Sequence, residues 1–270
     1  MTKQAHGEFA LITGASSGIG ATYAKRLACR GYDLILVARN KKRLDDLARR
    51  LTGETGINTE VFQADLTSKL DLERVEMRLL SDPRITLLLN NAGVAVAGTL
   101  ANGDADRVQS MIELNIVAPS RLTMAAASAF VERTRGTIIN ISSVTALMPE
   151  QYNGAYSGSK AYILNMSLKL QQEVGPKGIR VQVVLPGLTR TEIYERAGID
   201  PTRYASNMMM GVDELVDAAL AGLDQGEVVT IPSLPDPEDW KGFTEARMKL
   251  GPNLSHDHAA SRYQLKNDPG

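Results

Sequence analysis

One cysteine, Cys29, stands in 270 residues, so the chain can form no internal disulfide framework. Cys29 falls in a stretch of helical composition and reads as a small core residue rather than a reactive thiol. Histidine is nearly as scarce. His6, His256 and His258 all fall in the terminal segments, which argues against histidine acid–base chemistry and against a Cys/His metal site in the core. Charge of one sign is lacking as well: 30 Lys and Arg against 31 Asp and Glu give a formal net charge of −1. That leaves no broad basic field for nucleic acid or an anionic membrane. No apolar run reads as long enough to span a bilayer, and MTKQAHGEFA lacks the pattern of a signal peptide. A cytoplasmic location is the expectation. No Pro/Gly/Ser-rich linker or charge block divides residues 1–231, which predicts one domain over 1–231 and a distinct tail over 232–270.

What is present is an alternation of apolar runs with helix-patterned segments. Strands are predicted at Phe9–Thr13, Asp33–Ala38, Thr59–Gln63, Ile85–Leu89, Thr137–Ile141, Arg180–Leu185 and Glu227–Thr230. Helices are predicted over Ala21–Arg30, up to Leu51, over Ser68–Leu80, Asp104–Arg133 and Asp213–Leu223, and around Tyr156. Unbroken apolar strands such as Asp33–Ala38 suit a parallel sheet covered on both faces. The alternation therefore predicts an α/β fold, a doubly wound parallel sheet of about seven strands, with its ligand crevice at the strand C-terminal ends.

The residues following those ends are the candidates. Gly14-Ala15-Ser16-Ser17-Gly18-Ile19-Gly20 joins the first strand to a helix, the order a phosphate site needs: glycines admit a close backbone approach, and the helix N-terminus offers unpaired N–H groups. No GK[ST] follows, which excludes an ATP-type P-loop. A site for NAD would place an acid about 20 residues beyond the last loop glycine. From Leu34 to Leu44 there is no carboxylate, and Arg39 stands at the strand end. We assign Arg39 to a ribose 2′-phosphate, and Lys41, Lys42 and Arg43 to a solvated helical turn. Further along come Asp65, then Asn91-Ala92-Gly93, Ser142-Ser143 and Pro186-Gly187.

Tyr156 is the only one of eight tyrosines with a lysine four residues on, so phenol and ammonium share a helix face. A unit charge about 4 Å away at an effective dielectric of ~20 supplies roughly 4 kcal/mol, or roughly three pKa units. That would bring the phenol within range as a proton donor. In the long predicted helix, Pro119 follows Asn115 by four residues. A proline lacks the N–H that the Asn115 carbonyl would use, so that carbonyl is expected to be free to hold a water.

Taken in order, Gly14-x-x-x-Gly18-x-Gly20, Asn91-Ala92-Gly93, Asn115, Ser143 and Tyr156-x-x-x-Lys160 resemble the short-chain dehydrogenase/reductase family over about residues 7–231. The resemblance implies a Rossmann-type fold and a catalytic set of Asn115, Ser143, Tyr156 and Lys160. It implies that Gly14 to Gly20, including Ser16, Ser17 and Ile19, cradle a pyrophosphate. Asp65 with Leu66 would meet the adenine, and Asn91-Ala92-Gly93 the sheet and cofactor ribose. Pro186-Gly187 with Leu188, Thr189 and Thr191 would grip the nicotinamide carboxamide, and Lys160 would hold the nicotinamide ribose. Ser16 and Arg39 resemble the NADP-preferring branch, so NADP(H) is the expected cofactor and a ketone or aldehyde the expected substrate. No metal is implied. Ser143 would stabilise the oxyanion and Tyr156 deliver the proton. A homodimer or homotetramer through the long helix and the Tyr156 helix is expected. The rivals are an NAD-linked alcohol dehydrogenase and a non-catalytic dinucleotide-binding protein.

Substrate selection is expected in Ser143–Tyr152 and Thr191–Met210, where Met208-Met209-Met210 offers an adaptable surface and Arg190, Arg196 and Arg203 are available for a carboxylate. In the tail, Asp236-Pro237-Glu238 starts a helix and Gly251-Pro252 stops it, while Trp240, Phe243 and Leu250 share a face that should be buried. Residues after Ser255 are expected to be mobile.

Overall fold

The computed structural model describes residues 7–200, 202 and 204–263; His6 and Arg203, named above, lie outside them. Among the described residues seven strands, β1 (Phe9–Thr13), β2 (Asp33–Ala38), β3 (Thr59–Gln63), β4 (Ile85–Asn90), β5 (Gly136–Ile141), β6 (Ile179–Val184) and β7 (Val229–Thr230), form one sheet. Its order is β3-β2-β1-β4-β5-β6-β7, parallel throughout. The helices are α1 (Gly18–Cys29), α2 (Lys41–Thr55), α3 (Lys69–Ser81), α4 (Ala105–Ile112), α5 (Ala118–Glu132), α6 (Gly154–Val174), α7 (Ile193–Ala197), α8 (Val212–Gln225) and α9 (Pro237–Met248). This is the doubly wound α/β fold expected.

Alternation along β1 shows why both faces are covered. Ala10 and Ile12 pack with Tyr23, Ala24 and Leu27 of α1 and with α2 and α8. Phe9 and Leu11 point the other way, into Leu72 and Val75 of α3 and Leu122 and Phe130 of α5. From β1 the chain runs outward through β2 to β3, then returns to β4 on the far side of β1. Crossovers therefore diverge above β1 and β4, and the crevice opens where Gly14 and Asn91 leave the sheet.

Three expectations change. Cys29 is exposed, because the sheet-facing stripe of α1 is set by Tyr23, Ala24, Leu27 and Ala28 and residue 29 falls outside it. The long helix is not one α-helix: a five-residue π turn, Glu113–Val117, separates α4 from α5, and the Ala118 N–H donates to Glu113 O, five residues back. Pro119 supplies the reason, since it cannot serve the Asn115 carbonyl and the chain widens there. The whole run Ala105–Glu132 is, by length and composition, long and apolar enough to cross a membrane, contrary to the sequence expectation. Half of its most apolar window is buried in the protein, and Leu122, Ala126 and Phe130 are fully enclosed against the sheet.

The chain divides into two compact units, Met1–Pro232 and Ser233–Gly270. In the second, Asp236 caps α9 through an Oδ1 contact with the Glu238 N–H at 2.9 Å, and Pro237 takes the first helical position. The Trp240 and Phe243 rings lie 5.5 Å apart. No residue of α9 is buried, so the expected apolar face is formed but not enclosed. A 3-10 turn, Gly251–Asn253, follows at the expected stop. Beyond Ser255 the structure describes residues to Tyr263; the remainder lies outside it.

Candidate active site

The glycine loop is shaped by what stands behind it. Gly14 has φ +66°, and a Cβ there would lie 2.7 Å from Asn91 Nδ2 and 2.9 Å from Ala92 Cα. A Cβ on Gly20 would lie 2.4 Å from Gly14 O and 2.5 Å from Asn91 Nδ2. These two glycines let the loop close onto the start of the chain after β4. Thr13 completes the joint, its hydroxyl donating to Leu89 O at 3.2 Å while accepting from the N–H groups of Asn91 (3.0 Å) and Ala92 (3.1 Å). Asn91 Nδ2 donates back to Thr13 O at 3.0 Å. Helix α1 then begins without a side-chain cap and without an acidic residue in its first turn, which leaves a helix N-terminus suited to an anion.

Asn153 sets the opposite wall. Its Oδ1 accepts from the N–H groups of Ala155 (3.0 Å) and Tyr156 (3.1 Å), and its Nδ2 donates to Gly98 O at 2.7 Å. Tyr156 is thus fixed in the first turn of α6, facing the segment after β4. One turn on, Lys160 is buried; its Nζ donates to Ile141 O at 3.1 Å and lies 5.8 Å from the Tyr156 ring centroid. At the end of β5 the two serines separate in role. Ser142 Oγ donates to Lys160 O at 2.7 Å, whereas Ser143 Oγ donates to Pro186 O at 3.4 Å and acts on the Tyr156 phenol, opposing the rise of its pKa. The Thr145 N–H, donating to Ser143 Oγ at 3.2 Å, orients that hydroxyl.

Asn115 lies behind this constellation, buried. Its Oδ1 accepts from the Val94 N–H at 2.9 Å, and its Nδ2 donates to Val94 O at 2.9 Å and to Ser159 Oγ at 3.2 Å. Its side chain therefore fixes the segment after Gly93 to α6.

The electrostatics differ from the sequence expectation. Withdrawal from water pushes the Tyr156 phenol up to about 12, with Tyr194 adding to the shift and Ser143 opposing it. Lys160 does not pull it down. Burial pushes the ammonium itself down to about 8, and its hydrogen bond is made to a β5 carbonyl. Lys160 is buried and Tyr156 half-buried, and loss of water contact is the leading cause of both shifts.

A single cavity of about 1170 Å³ takes in most of the expected residues: Gly14, Ser16 to Ile19, Arg39, Asp65, Leu66, Asn91 to Gly93, Ser143, Tyr156, Lys160, Pro186 to Thr189, and Thr191. Small-molecule sites commonly span about 300–1,000 Å³, so it can take a dinucleotide beside a second molecule. Gly20 and Asn115 are not among its lining residues. Gly20 acts through packing, and Asn115 through Val94.

At one end Arg39 Nη1 stands 4.0 Å from Asp65 Oδ2, with 68% of the Arg39 side chain exposed. Lys41 pairs with Asp45 on the surface. Arg43 is solvated as assigned, its side chain 47% exposed, and it also lines the cavity, its Nη1 2.9 Å from Glu192 Oε2. Residues 188–200 and Tyr204 contribute to the cavity lining, and the segment that carries them is closed at its base where Thr189 bridges Met210. The Thr189 N–H donates to the Tyr194 hydroxyl at 3.2 Å, and the Tyr194 and Tyr204 rings are 6.0 Å apart. Met208 is 63% exposed and Met210 packs on the core, so the methionine run does not form the cavity wall. Arg190 donates to Ser206 O at 3.0 Å, and Arg196 turns to the glycine loop, so neither waits for a substrate carboxylate. The roles of Thr13, Asn153 and Glu192 were not assigned from sequence; only Asn153, a cap residue before a helix, carries a local signal.

The family model described as short chain dehydrogenase matches residues 8–201. The chain belongs to this family. A short-chain dehydrogenase from Sphingobium yanoikuyae, solved in complex with NADPH, superposes with a TM-score of 0.92 at 50% identity, covering 95% of this chain and 100% of that one. The bulky-bulky ketone specific alcohol dehydrogenase from Comamonas testosteroni gives 0.87 at 45% identity, covering 96% and 99%. Among curated short-chain dehydrogenase relatives, the very-long-chain 3-oxoacyl-CoA reductase of Podospora anserina is 32% identical over 228 residues, 82% of this chain and 65% of that protein. The chain thus spans a little under two thirds of that relative.

Proposed function

We propose that this short-chain dehydrogenase is an NADP(H)-dependent oxidoreductase that reversibly reduces a ketone or aldehyde to an alcohol, with Tyr156 as the proton donor. The observation that carries the reading is the meeting, in one cavity, of Ser143, Tyr156 and the buried Lys160 with the uncapped α1 N-terminus and Arg39. The chain's residues fit the cofactor. Gly14 and Gly20 leave no room for a side chain where the loop meets Asn91, α1 presents N–H groups with no competing carboxylate, and Arg39 reaches solvent at the far end. The NADPH complex of the Sphingobium yanoikuyae protein supports the same choice. When bound, NADPH supplies the hydride.

The protein's part is proton transfer and charge stabilisation. A phenol at about 12 is fully protonated at neutral pH, the form a reduction requires. Ser143, fixed by the Thr145 N–H, shares the carbonyl oxygen with Tyr156 and donates a hydrogen bond to it as negative charge develops. Lys160, still largely protonated at pH 7 with a value of about 8, offsets the phenolate left after proton transfer. Tyr194 and Tyr204 make the substrate end aromatic, which favours a ketone with bulky substituents, in keeping with the Comamonas testosteroni relative. We further propose a cytoplasmic homo-oligomer formed through the faces of α5 and α6, where Met124 and Tyr162 are exposed.

The test is turnover of small aliphatic, aryl-alkyl and diaryl ketones with NADPH and with NADH, together with the two cofactor dissociation constants for wild type and Arg39→Asp. Losing a hydrogen bond to a charged group costs about 1.5–3 kcal/mol, on the order of 10- to 150-fold in NADPH affinity. Reduction with NADPH in the wild type and a shift toward NADH in the variant are expected. A wild type that prefers NADH would remove Arg39 from the cofactor site.

A further inference from the structure

The Gly14–Gly20 loop carries no basic side chain of its own, yet a cation is brought to it from across the cavity. Arg196, on α7, donates from Nη2 to Ser17 Oγ at 3.2 Å and to Glu192 Oε2 at 2.5 Å. Glu192 is held from its other side by Arg43 of α2, whose Nη1 lies 2.9 and 3.2 Å from the two carboxylate oxygens. All four residues line the cavity. The result is a strap, Arg43–Glu192–Arg196–Ser17, that runs from the α2 wall through α7 to the start of α1. It contains two guanidinium groups and one carboxylate, so it leaves one positive charge at the rim of the glycine loop. Ser17 makes no cap bond to its own helix; its hydroxyl meets Arg196. A guanidinium has five N–H donors in a fork matched to phosphate, more than Ser17 and Glu192 take.

We propose that Arg196 is a cofactor-phosphate residue supplied by α7, with Glu192 and Arg43 as positioning residues that aim it. This rests on the dinucleotide reading above. Arg39 and Arg196 then approach the cofactor from different elements, one fixed at a strand end and one carried by α7.

The test uses binding rather than turnover. Dissociation constants for NADPH, NADH and ADP-ribose are measured by fluorescence and calorimetry in wild type, Arg196→Gln, Arg196→Lys, Arg43→Gln and the Arg43→Gln/Arg196→Gln double variant. Arg196→Gln should weaken NADPH binding by about tenfold or more, and Arg196→Lys should recover part of the loss. Equal weakening of NADH and ADP-ribose places Arg196 on the pyrophosphate; weakening of NADPH alone places it on the 2′-phosphate. Arg43→Gln should weaken binding in the wild-type background and add little in the double variant, the non-additivity of residues acting through one another. If Arg196→Gln binds all three ligands as wild type does, the assignment is wrong. Additive effects of the two substitutions would overturn the positioning role of Arg43. A wild type that binds neither dinucleotide would defeat the functional reading itself, a separate result.

Discussion

The two walls of the cavity are held by different means. On the wall formed by β1, β4, β5 and α6, functional side chains are anchored to backbone atoms: Asn91 to Thr13 O and Gly14 O, Lys160 to Ile141 O, Asn115 to both polar atoms of Val94. On the facing wall, the segment after β6 is closed at its base by backbone bonds of Met210 with Leu188 and Arg190, but its contacts across the cavity are made by side chains, through Tyr194 with Tyr204 and through Glu192 with Arg43 and Arg196. Backbone anchors in a packed sheet fix geometry to the precision that proton transfer needs. Exposed ion pairs are individually weak and can exchange partners. The difference suits the proposed proton transfer at the first wall and the proposed substrate selection at the second.

That contrast is broken most severely by Gly20→Ala. The added Cβ must displace Gly14 O or Asn91, and over-packing against backbone in a core is expected to cost about 3 kcal/mol or more. Urea denaturation should show the loss, with dinucleotide binding lost alongside; a variant of wild-type stability would mean that the joint is plastic.

Next in size is Lys160→Met. A lysine at about 8 in the folded chain and near ~10.4 unfolded binds fewer protons folded than unfolded between those values, so wild-type stability through this group rises with pH across that window. At pH 7 the buried ammonium therefore costs roughly 3 kcal/mol. Lys160→Met should be more stable than wild type at pH 7, lose that advantage toward pH 10.5, and be inactive. A stability difference that does not change with pH would refute the depressed lysine.

The smallest effect is expected on the loop. Tyr204→Ala removes one aromatic pair, about 0.5–1.5 kcal/mol, which should appear as a roughly 2- to 12-fold change in KM for a diaryl ketone. Overall stability should stay within about 0.5 kcal/mol of wild type. A large loss of stability would show that the loop is as integral as the other wall.

The same contrast explains what the sequence made legible. Strand ends, Gly14 and Gly18, Ser143 and the Tyr156/Lys160 spacing could be read because backbone geometry dictates residue type at those positions. Pro119 marked the helix interruption, though not that it would be a π turn. Arg43 is solvated as its helical position indicates, but periodicity could not show its partner, Glu192, which is 149 residues away. The depression of Tyr156 by Lys160 failed for a related reason. Spacing sets proximity but not burial, and burial decided the direction for both groups.

The most direct measurement is the single-turnover rate of carbonyl reduction in Tyr156→Phe, taken with its NADPH dissociation constant. The phenol is the sole group lost, and general acid catalysis is worth about 10²- to 10⁴-fold. The account predicts a rate lower by that factor with NADPH affinity within about twofold of wild type. A Tyr156→Phe variant that binds NADPH and reduces the ketone at the wild-type rate would contradict it.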